Sequence, residues 1–423
     1  MDDASTPRDS TDDVGHATAW TPLRFASFRA LWSGNSAMWM AVWSFATAAQ
    51  WYLVGSPETR ALTPLIQTSL MLPMTLLTLP AGVLGDTVDR RRLISWMQGI
   101  AVLALGAAAI AAFLGRLPGV LLLVVAVVTG CTTALTFVPF QSLTPELVPR
   151  RVVPSAAALV SVGINAARMV GPAVAGALLA FLGITPVLAL CVGATAFFLV
   201  TVRLWDGGAP RPHAKAEFLP AFAEGLRVVR ALKPVRQLML RVFLFGFAMV
   251  ILFTTIPLIA AERLNLTAGV YGATMAATGA GAVTGGLLTA RLQRYLSVNA
   301  LLGLGGAFSS VAIVLMPFAG SAGVLALLMF VAGYWWTTSL STAAGAVQLF
   351  MPRVFVARGI ATYNLAPFGG QAVGSYVLGY IAVNHDITAA HVVAAGLLAV
   401  TAVLSLVRPL TKQFGSTAEA VIP

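Results

Sequence analysis

Negative charge is scarce in this chain. Fifteen Asp and Glu serve 423 residues, and all of them fall in tails, connections or the ends of apolar segments. No pair of carboxylates stands ready for general acid–base chemistry. Histidine occurs four times, at His16, His213, His385 and His391, in tails, loops or near a helix end. The two cysteines, Cys131 and Cys191, each lie within an apolar run. Neither a disulfide framework nor a metal centre follows from such placements. A G-x-x-x-x-G-K-[ST] phosphate loop is missing, so direct drive by ATP is not expected, and no cofactor is implied. The polar, acidic N-terminus gives no sign of a cleavable signal peptide. Enzyme activity is therefore the least favoured reading.

What the chain has in abundance is apolar surface. Hydrophobic residues make up 58% and charged residues 10%, with a mean hydropathy of +0.87. Soluble domains carry about 25% charge, so an integral, all-α membrane protein is expected. Apolar segments of membrane-spanning length fall at 30–54, 62–84, 93–114, 119–141, 155–182, 184–202, 240–261, 268–290, 298–317, 322–346, 357–383 and 387–407, each long enough for a hydrocarbon core about 30 Å thick. That predicts twelve transmembrane helices. A polar tail (1–28) precedes a first bundle (29–202), a basic linker (203–239) leads to a second bundle (240–407), and a tail (408–423) follows. The net charge of +11 could suggest nucleic acid as a partner, but its distribution argues otherwise. Of 26 Lys and Arg, three (Arg60, Arg116, Arg263) fall in connections on one side, Arg168 lies inside a span, and the other 22 fall on the opposite side. Arginine and lysine mark the inner face of a bilayer, so both termini are expected in the cytoplasm, with membrane lipids rather than nucleic acid as the partner of the basic surface.

The two halves repeat. Pro149-Arg150 precedes Gly171 and Gly176 at the spacing with which Pro352-Arg353 precedes Gly374 and Gly379. A parallel repeat of this kind describes two six-helix bundles related by an axis along the membrane normal.

Between the second and third spans runs Gly82-Val83-Leu84-Gly85-Asp86-Thr87-Val88-Asp89-Arg90-Arg91-Arg92. Gly82 and Gly85 allow close approach of a neighbouring helix. Asp86 is suited to a helix N-terminus, and Arg90 and Arg91 to the inner membrane face. The pattern G-x-L-x-D-x-x-x-R-R resembles the loop signature after the second span of the major facilitator superfamily of transporters, with Thr87 where that signature usually carries a basic residue. Phe28-Arg29-Ala30-Leu31-Trp32, Ala49-Gln50-Trp51-Tyr52-Leu53, Pro145-Glu146-Leu147-Val148-Pro149 and Asn165-x-x-Arg168-x-x-Gly171-Pro172 narrow the resemblance to the branch that includes the enterobactin-type siderophore exporters. The resemblance implies the major facilitator fold, export of siderophores, drugs or other metabolites, and a cavity lined by the first, fourth, seventh and tenth helices.

Arg168 is the sharpest candidate for substrate binding. It lies about 20 Å into the fifth span at 1.5 Å per residue, where a charge costs several kcal/mol unless it meets a partner or a wet cavity. Asn165 shares its helical face, while Gly163, Ala167, Gly171 and Ala175 form a small-residue stripe suited to tight packing. With no acid in mid-span, an anionic group of the substrate is expected to complement Arg168. A structural tie to backbone carbonyls is the competing role. On the helices that the resemblance assigns to the cavity, Asn35, Trp39, Trp43, Gln50, Thr132, Thr136, Thr255, Trp335, Ser339 and Thr342 are further candidates, since rings and hydroxyls suit an amphipathic ligand. Gly82, Asp86, Arg90, Arg91, Gly171 and Pro172 are candidate gating positions. A monomeric secondary transporter for a small molecule, an exporter or antiporter with protons as the candidate coupling ion, is the leading expectation. An importer, a lipid flippase, or a non-transporting receptor or scaffold of the same fold are the alternatives.

Overall fold

The computed structural model describes residues 20–206, 233–350 and 356–410, without the side chains of 79, 83, 86, 87, 348–350 and 356–362. Twelve long helices account for nearly all of them: α1 Ala26–Val54, α2 Thr63–Thr87, α3 Arg90–Phe113, α4 Gly119–Leu143, α5 Val153–Leu182, α6 Ile184–Leu204, α7 Lys233–Arg263, α8 Ala268–Tyr295, α9 Val298–Leu315, α10 Ala322–Phe350, α11 Val356–Asn384 and α12 Ile387–Val407. Most of the expected linker, and both expected tails save their inner edges, lie outside the described residues. Among the described residues, nine helices are long and apolar enough to cross a membrane by length and composition, and α1, α8 and α11 are not among them. These three pack against protein: α1 on α5 and α6, α8 on α5 and α10, α11 on α2 and α7. A helix covered by other helices has less need of hydropathy than one bathed in lipid, which explains the Asn, Gln, Gly and Thr they carry.

Pro73, Pro80, Pro139, Pro172 and Pro367 lie within continuous helices, and the broken helix is the one that carries Pro257. α7 is continuous only to Met249, then runs as short turns over Ile251–Thr254 and Ile256–Leu258 before a π-helical turn at Ile259–Arg263. Pro257 has no N–H, so the carbonyl four residues earlier, Phe253, loses its helical donor. Gln50 of α1 supplies the missing donor, its Nε2 lying 2.6 Å from the Phe253 oxygen. Thr254 and Thr255 turn their hydroxyls onto the carbonyls of Val250 and Ile251 through the same stretch. The internal repeat is visible here, because Gln50 and Phe253 are 203 residues apart.

The two bundles meet through α5 against α8 and α2 against α11. Within the first bundle the small stripe of α5 lies on α1, where a side chain at Gly171 would meet the Met40 carbonyl and Trp43 at 3.0 Å. Further along α5 the contact passes to the other bundle: a Cβ at Gly176 would stand 2.6 Å from the Cα of Gly272 on α8. Neighbouring backbones leave no room for even one methyl group there. This contact belongs to the face formed by the α1–α2, α5–α6 and α7–α8 connections. On that face Arg60 holds Glu262 through two hydrogen bonds, one of them 2.8 Å from Nη2, and Trp51 stacks on Tyr271 with centroids 4.8 Å apart. Both contacts join the first bundle to the second, so the bundles are closed together at this face.

Asp386 starts α12 by accepting from the amides of Thr388 and Ala389, and it receives Arg263 at 3.1 Å. Hydrogen bonding from the Thr388 side chain, followed by the two amides and the Arg263 charge, holds its carboxyl below the usual carboxylate range. A depressed folded value means that the cap is fully present above the unfolded value of about 4 and is lost as pH falls below it. Asp386→Ala is expected to lower stability by about 1 kcal/mol at neutral pH, with the difference from wild type shrinking as pH falls below about 4 and the carboxylate is protonated. Thermal melts across that range check it.

Closure of this face also generates a test. In a protein carrying Arg60→Cys and Glu262→Cys, oxidative cross-linking should be efficient. Adding Gly176→Leu, which forces α5 and α8 apart, should suppress it severalfold, whereas Gly106→Leu, with open space around its Cβ, should not.

Candidate functional site

A cavity of about 540 Å³ lies between α4, α5 and α10. Gln141 and Thr144 line it near the arginine-rich face, and Arg168 lines it at its deep end. Between them run Ala157, Val160, Ser161, Ile164 and Asn165 of α5, facing Trp336, Thr337, Leu340 and Ser341 of α10. Successive α5 positions three or four apart share one face, which is why an otherwise apolar helix presents Ser161, Asn165 and Arg168 together.

The guanidinium of Arg168 lies between two indoles. Its Cζ is 4.9 Å from the Trp43 ring centroid and 5.7 Å from that of Trp336. Phe253 bridges the same two rings, 5.1 Å from Trp43 and 5.8 Å from Trp336. This aromatic layer separates the cavity from the closed face, with the Gln50 hydrogen bond to Phe253 just beyond it. Cation–π attraction compensates the buried charge by about 0.5–2 kcal/mol per ring, well short of the cost of desolvating it. The remaining bonding capacity is unused: Arg168 Nε, Trp43 Nε1 and Thr337 Oγ1 are buried with no hydrogen-bond partner among the described residues. No ion pair to Arg168 occurs among them either.

The sequence candidates divide by where they point. Arg168 and Asn165 line the cavity, Asn165 with its amide donated to the Ser161 carbonyl. Trp43 forms the aromatic layer, and Trp39 meets the cavity-lining Phe137 edge-on at 5.9 Å. Asn35 is buried in α1 with its Nδ2 unpartnered and does not line the cavity. Gln50 serves the closure rather than the cavity. Thr132 and Thr136 turn into the first bundle, Thr132 donating to the Thr129 carbonyl and Thr136 accepting from the Gln98 amide of α3 at 2.9 Å. Thr255 faces His391 of α12 at 3.4 Å. On α10 the cavity meets a different face of the helix from the expected one. Trp335 stacks on Phe308 of α9, Ser339 lies against Gly305 of α9, and Thr342 accepts from Gln293 of α8. Trp336, Thr337 and Ser341 occupy the cavity wall in their place. Polar side chains in an apolar medium seek one another inside a bundle as readily as they line a wet cavity, so hydroxyls alone do not identify the wet face.

The gating positions separate in the same way. Arg90 donates to the Gly85 carbonyl at 2.9 Å and to Glu146 at 2.8 Å, and Arg91 donates to the Arg203 carbonyl. These bonds tie the hairpin to the ends of α4 and α6 within its own bundle. Gly82 lies 3.9 Å, by its would-be Cβ, from Val138 of α4. The side chain of Asp86 lies outside the described residues. Gly171 and Pro172 sit where α5 passes from α1 to α8, since the Pro172 carbonyl would meet a side chain at Gly272. Sequence reasoning missed Trp336, Phe253, Tyr271 and the Arg60–Glu262 pair. It also placed His391 near a helix end without foreseeing that α12 buries it completely.

Two six-helix bundles packed through α2, α5, α8 and α11, with a polar cavity between them, define a membrane transporter of the major facilitator type. The chain belongs to that superfamily's transmembrane secretion effector family, whose sequence model matches residues 17–420. Among curated proteins none matches the sequence significantly. The fold is similar to a peptide transporter of the POT family in complex with sulfate (TM-score 0.71, 16% identity, 90% of this chain and 93% of that one). It is also similar to the human organic anion transporter MFSD10 (TM-score 0.64, 14% identity, 90% and 99%). A third likeness is to a bacterial homologue of the human lysosomal transporter Spinster in an inward-facing, unoccupied conformation (TM-score 0.65, 15% identity, 91% and 95%).

If Arg168 serves a ligand rather than the fold, removing its charge relieves an uncompensated desolvation cost. Arg168→Met is therefore expected to leave the ligand-free protein as stable as wild type or more so. A fall in melting temperature of more than about 4 °C, equivalent to roughly 3–4 kcal/mol for a chain of this size, would assign it a structural role instead.

Proposed function

We propose that the protein is a secondary transporter that takes an amphipathic organic anion from the cytoplasm and exports it by alternating access. The observation that carries this reading is the guanidinium of Arg168, free of any described carboxylate and held between Trp43 and Trp336 at the deep end of a cavity. A carboxylate, catecholate or sulfonate would accept from the guanidinium while its aromatic or aliphatic body lies against the indoles and Phe137. The cavity reaches toward the arginine-rich face, which basic-residue asymmetry assigns to the cytoplasm together with both termini. The opposite face is closed by Arg60–Glu262, Gln50–Phe253 and Trp51–Tyr271. This is the arrangement of a carrier waiting for cargo from inside, and siderophore-like metabolites and anionic drugs fit its chemistry. The protein acts as a monomer in this reading, since each chain contains a complete cavity. Protons are the proposed counter-ion. Import through the same cavity is the second reading, and it makes the opposite prediction for direction.

The test is transport by the purified full-length protein in proteoliposomes, using a fluorescent carboxylated amphiphile and its neutral amide. Wild type should move the carboxylate outward from the arginine-rich side, and collapse of the proton gradient should abolish accumulation. Arg168→Gln should reduce transport of the carboxylate by at least about tenfold, the worth of one hydrogen bond to a charged group, and leave the amide little changed. Equal loss for both compounds, or no loss for either, would remove the anion from the proposal.

A further inference from the structure

A second basic site lies outside the transport pathway. Where α3 begins and α6 ends, a cleft of about 390 Å³ is lined by Asp89, Arg91, Arg92, Ser95, Trp96 and Arg203. Two of these side chains are already committed. Asp89 caps α3 by accepting from the Arg92 amide, and Arg91 reaches across to the last-turn carbonyl of Arg203, which fixes the two helix ends together. The guanidiniums of Arg92 and Arg203 have no hydrogen-bond or ion-pair partner among the described residues. Ser95, one turn below, is 8% exposed, and its Oγ is buried with no partner. Ten guanidinium donors, a hydroxyl and a helix N-terminus therefore converge on one cleft against a single carboxylate already occupied in capping.

Beneath the cleft both walls become apolar and exposed. Trp96, Ile100 and Leu103 follow one face of α3, and Val200 and Phe197 follow one face of α6. Trp96 is 70% exposed beside the arginines, the position in which an indole sits at the boundary between headgroups and acyl chains. A free inorganic anion would use only the basic upper part of such a site. A phospholipid would use all of it.

We infer that this cleft is a binding site for a phospholipid of net negative headgroup, such as phosphatidylglycerol, in the leaflet at the arginine-rich face. Its phosphodiester lies between Arg92 and Arg203 with Ser95 donating to a third oxygen, and its acyl chains lie along the groove between α3 and α6. A zwitterionic headgroup would bring its ammonium against the same arginines and is disfavoured. Because Arg91 and Arg90 link this corner to α6 and to Glu146, lipid bound here stiffens the hairpin between α2 and α3.

The experiment uses the full-length protein in mixed micelles, with lipid retention read by native mass spectrometry and stability by thermal unfolding. Three probes are compared: phosphatidylglycerol, phosphatidylcholine and inorganic phosphate. Wild type should retain phosphatidylglycerol preferentially and melt several degrees higher in it than in phosphatidylcholine. The pair Arg92→Gln with Arg203→Gln should weaken retention by about thirtyfold, at about 1 kcal/mol for each arginine near the surface, and lose the thermal gain. The matched pair Arg291→Gln with Arg294→Gln, at the end of α8, should keep both. Should the first pair fail to fold, Ser95→Leu, which fills the cleft without removing charge, is expected to displace the lipid. Retention unaffected by these changes, or a thermal gain reproduced by inorganic phosphate alone, overturns the lipid site.

Discussion

The structure is arranged around the expense of keeping one positive charge in an apolar interior. An isolated guanidinium at mid-membrane depth is unfavourable by several kcal/mol, and no described acid offsets it. The surrounding residues mitigate rather than cancel that cost. Trp43 and Trp336 present their negative ring faces, the cavity admits water from one side, and the small residues of α5 let α1 come near enough to deliver Trp43. In the proposed reading, what is left over is a site whose free energy improves when an anion arrives. Binding energy of that kind is available to drive a conformational change, because a ligand shifts an equilibrium only by its differential affinity for the two states.

The closed face shows how such a change is restrained. Pro257 breaks α7, the break frees the carbonyl of Phe253, and Gln50 fixes that carbonyl from the other bundle. Phe253 then holds its ring between Trp43 and Trp336, so the hydrogen bond that closes the far side and the aromatic layer above Arg168 share one residue. A ligand that moves either indole acts on Phe253, and through it on the junction between the bundles. The coupling passes through direct contacts over a short path.

The number and limits of the helices were legible because burial in lipid imposes a length and a composition that soluble interiors do not. Expected and observed spans agree within a few residues for most helices, and α7 departs most, beginning at Lys233 rather than at 240. Its amphipathic first turns are apolar enough to pack and too charged to register as membrane-spanning. Arg168 was legible for the same reason, as a charge where none is tolerated without cause. Trp335 and Trp336 show the limit. The two adjacent rings differ by 100° of helical rotation, and nothing in the local pattern says which of them meets the cavity and which meets Phe308. Thr132, Thr136 and Thr342 show it again, as hydroxyls that satisfy their own bundle.

The sequence alone therefore determined a twofold repeat of six spans and the presence of a lone arginine well inside the fifth of them, both of which follow from the solvent that each residue type tolerates. Tertiary structure decided which faces of those helices meet, which end of the cavity is closed, and that Gln50, Phe253 and Trp336 converge on the space beside Arg168. Those outcomes depend on rotation and tilt set by contacts between residues hundreds of positions apart, such as Gly176 with the backbone at Gly272, and helical periodicity carries no record of them.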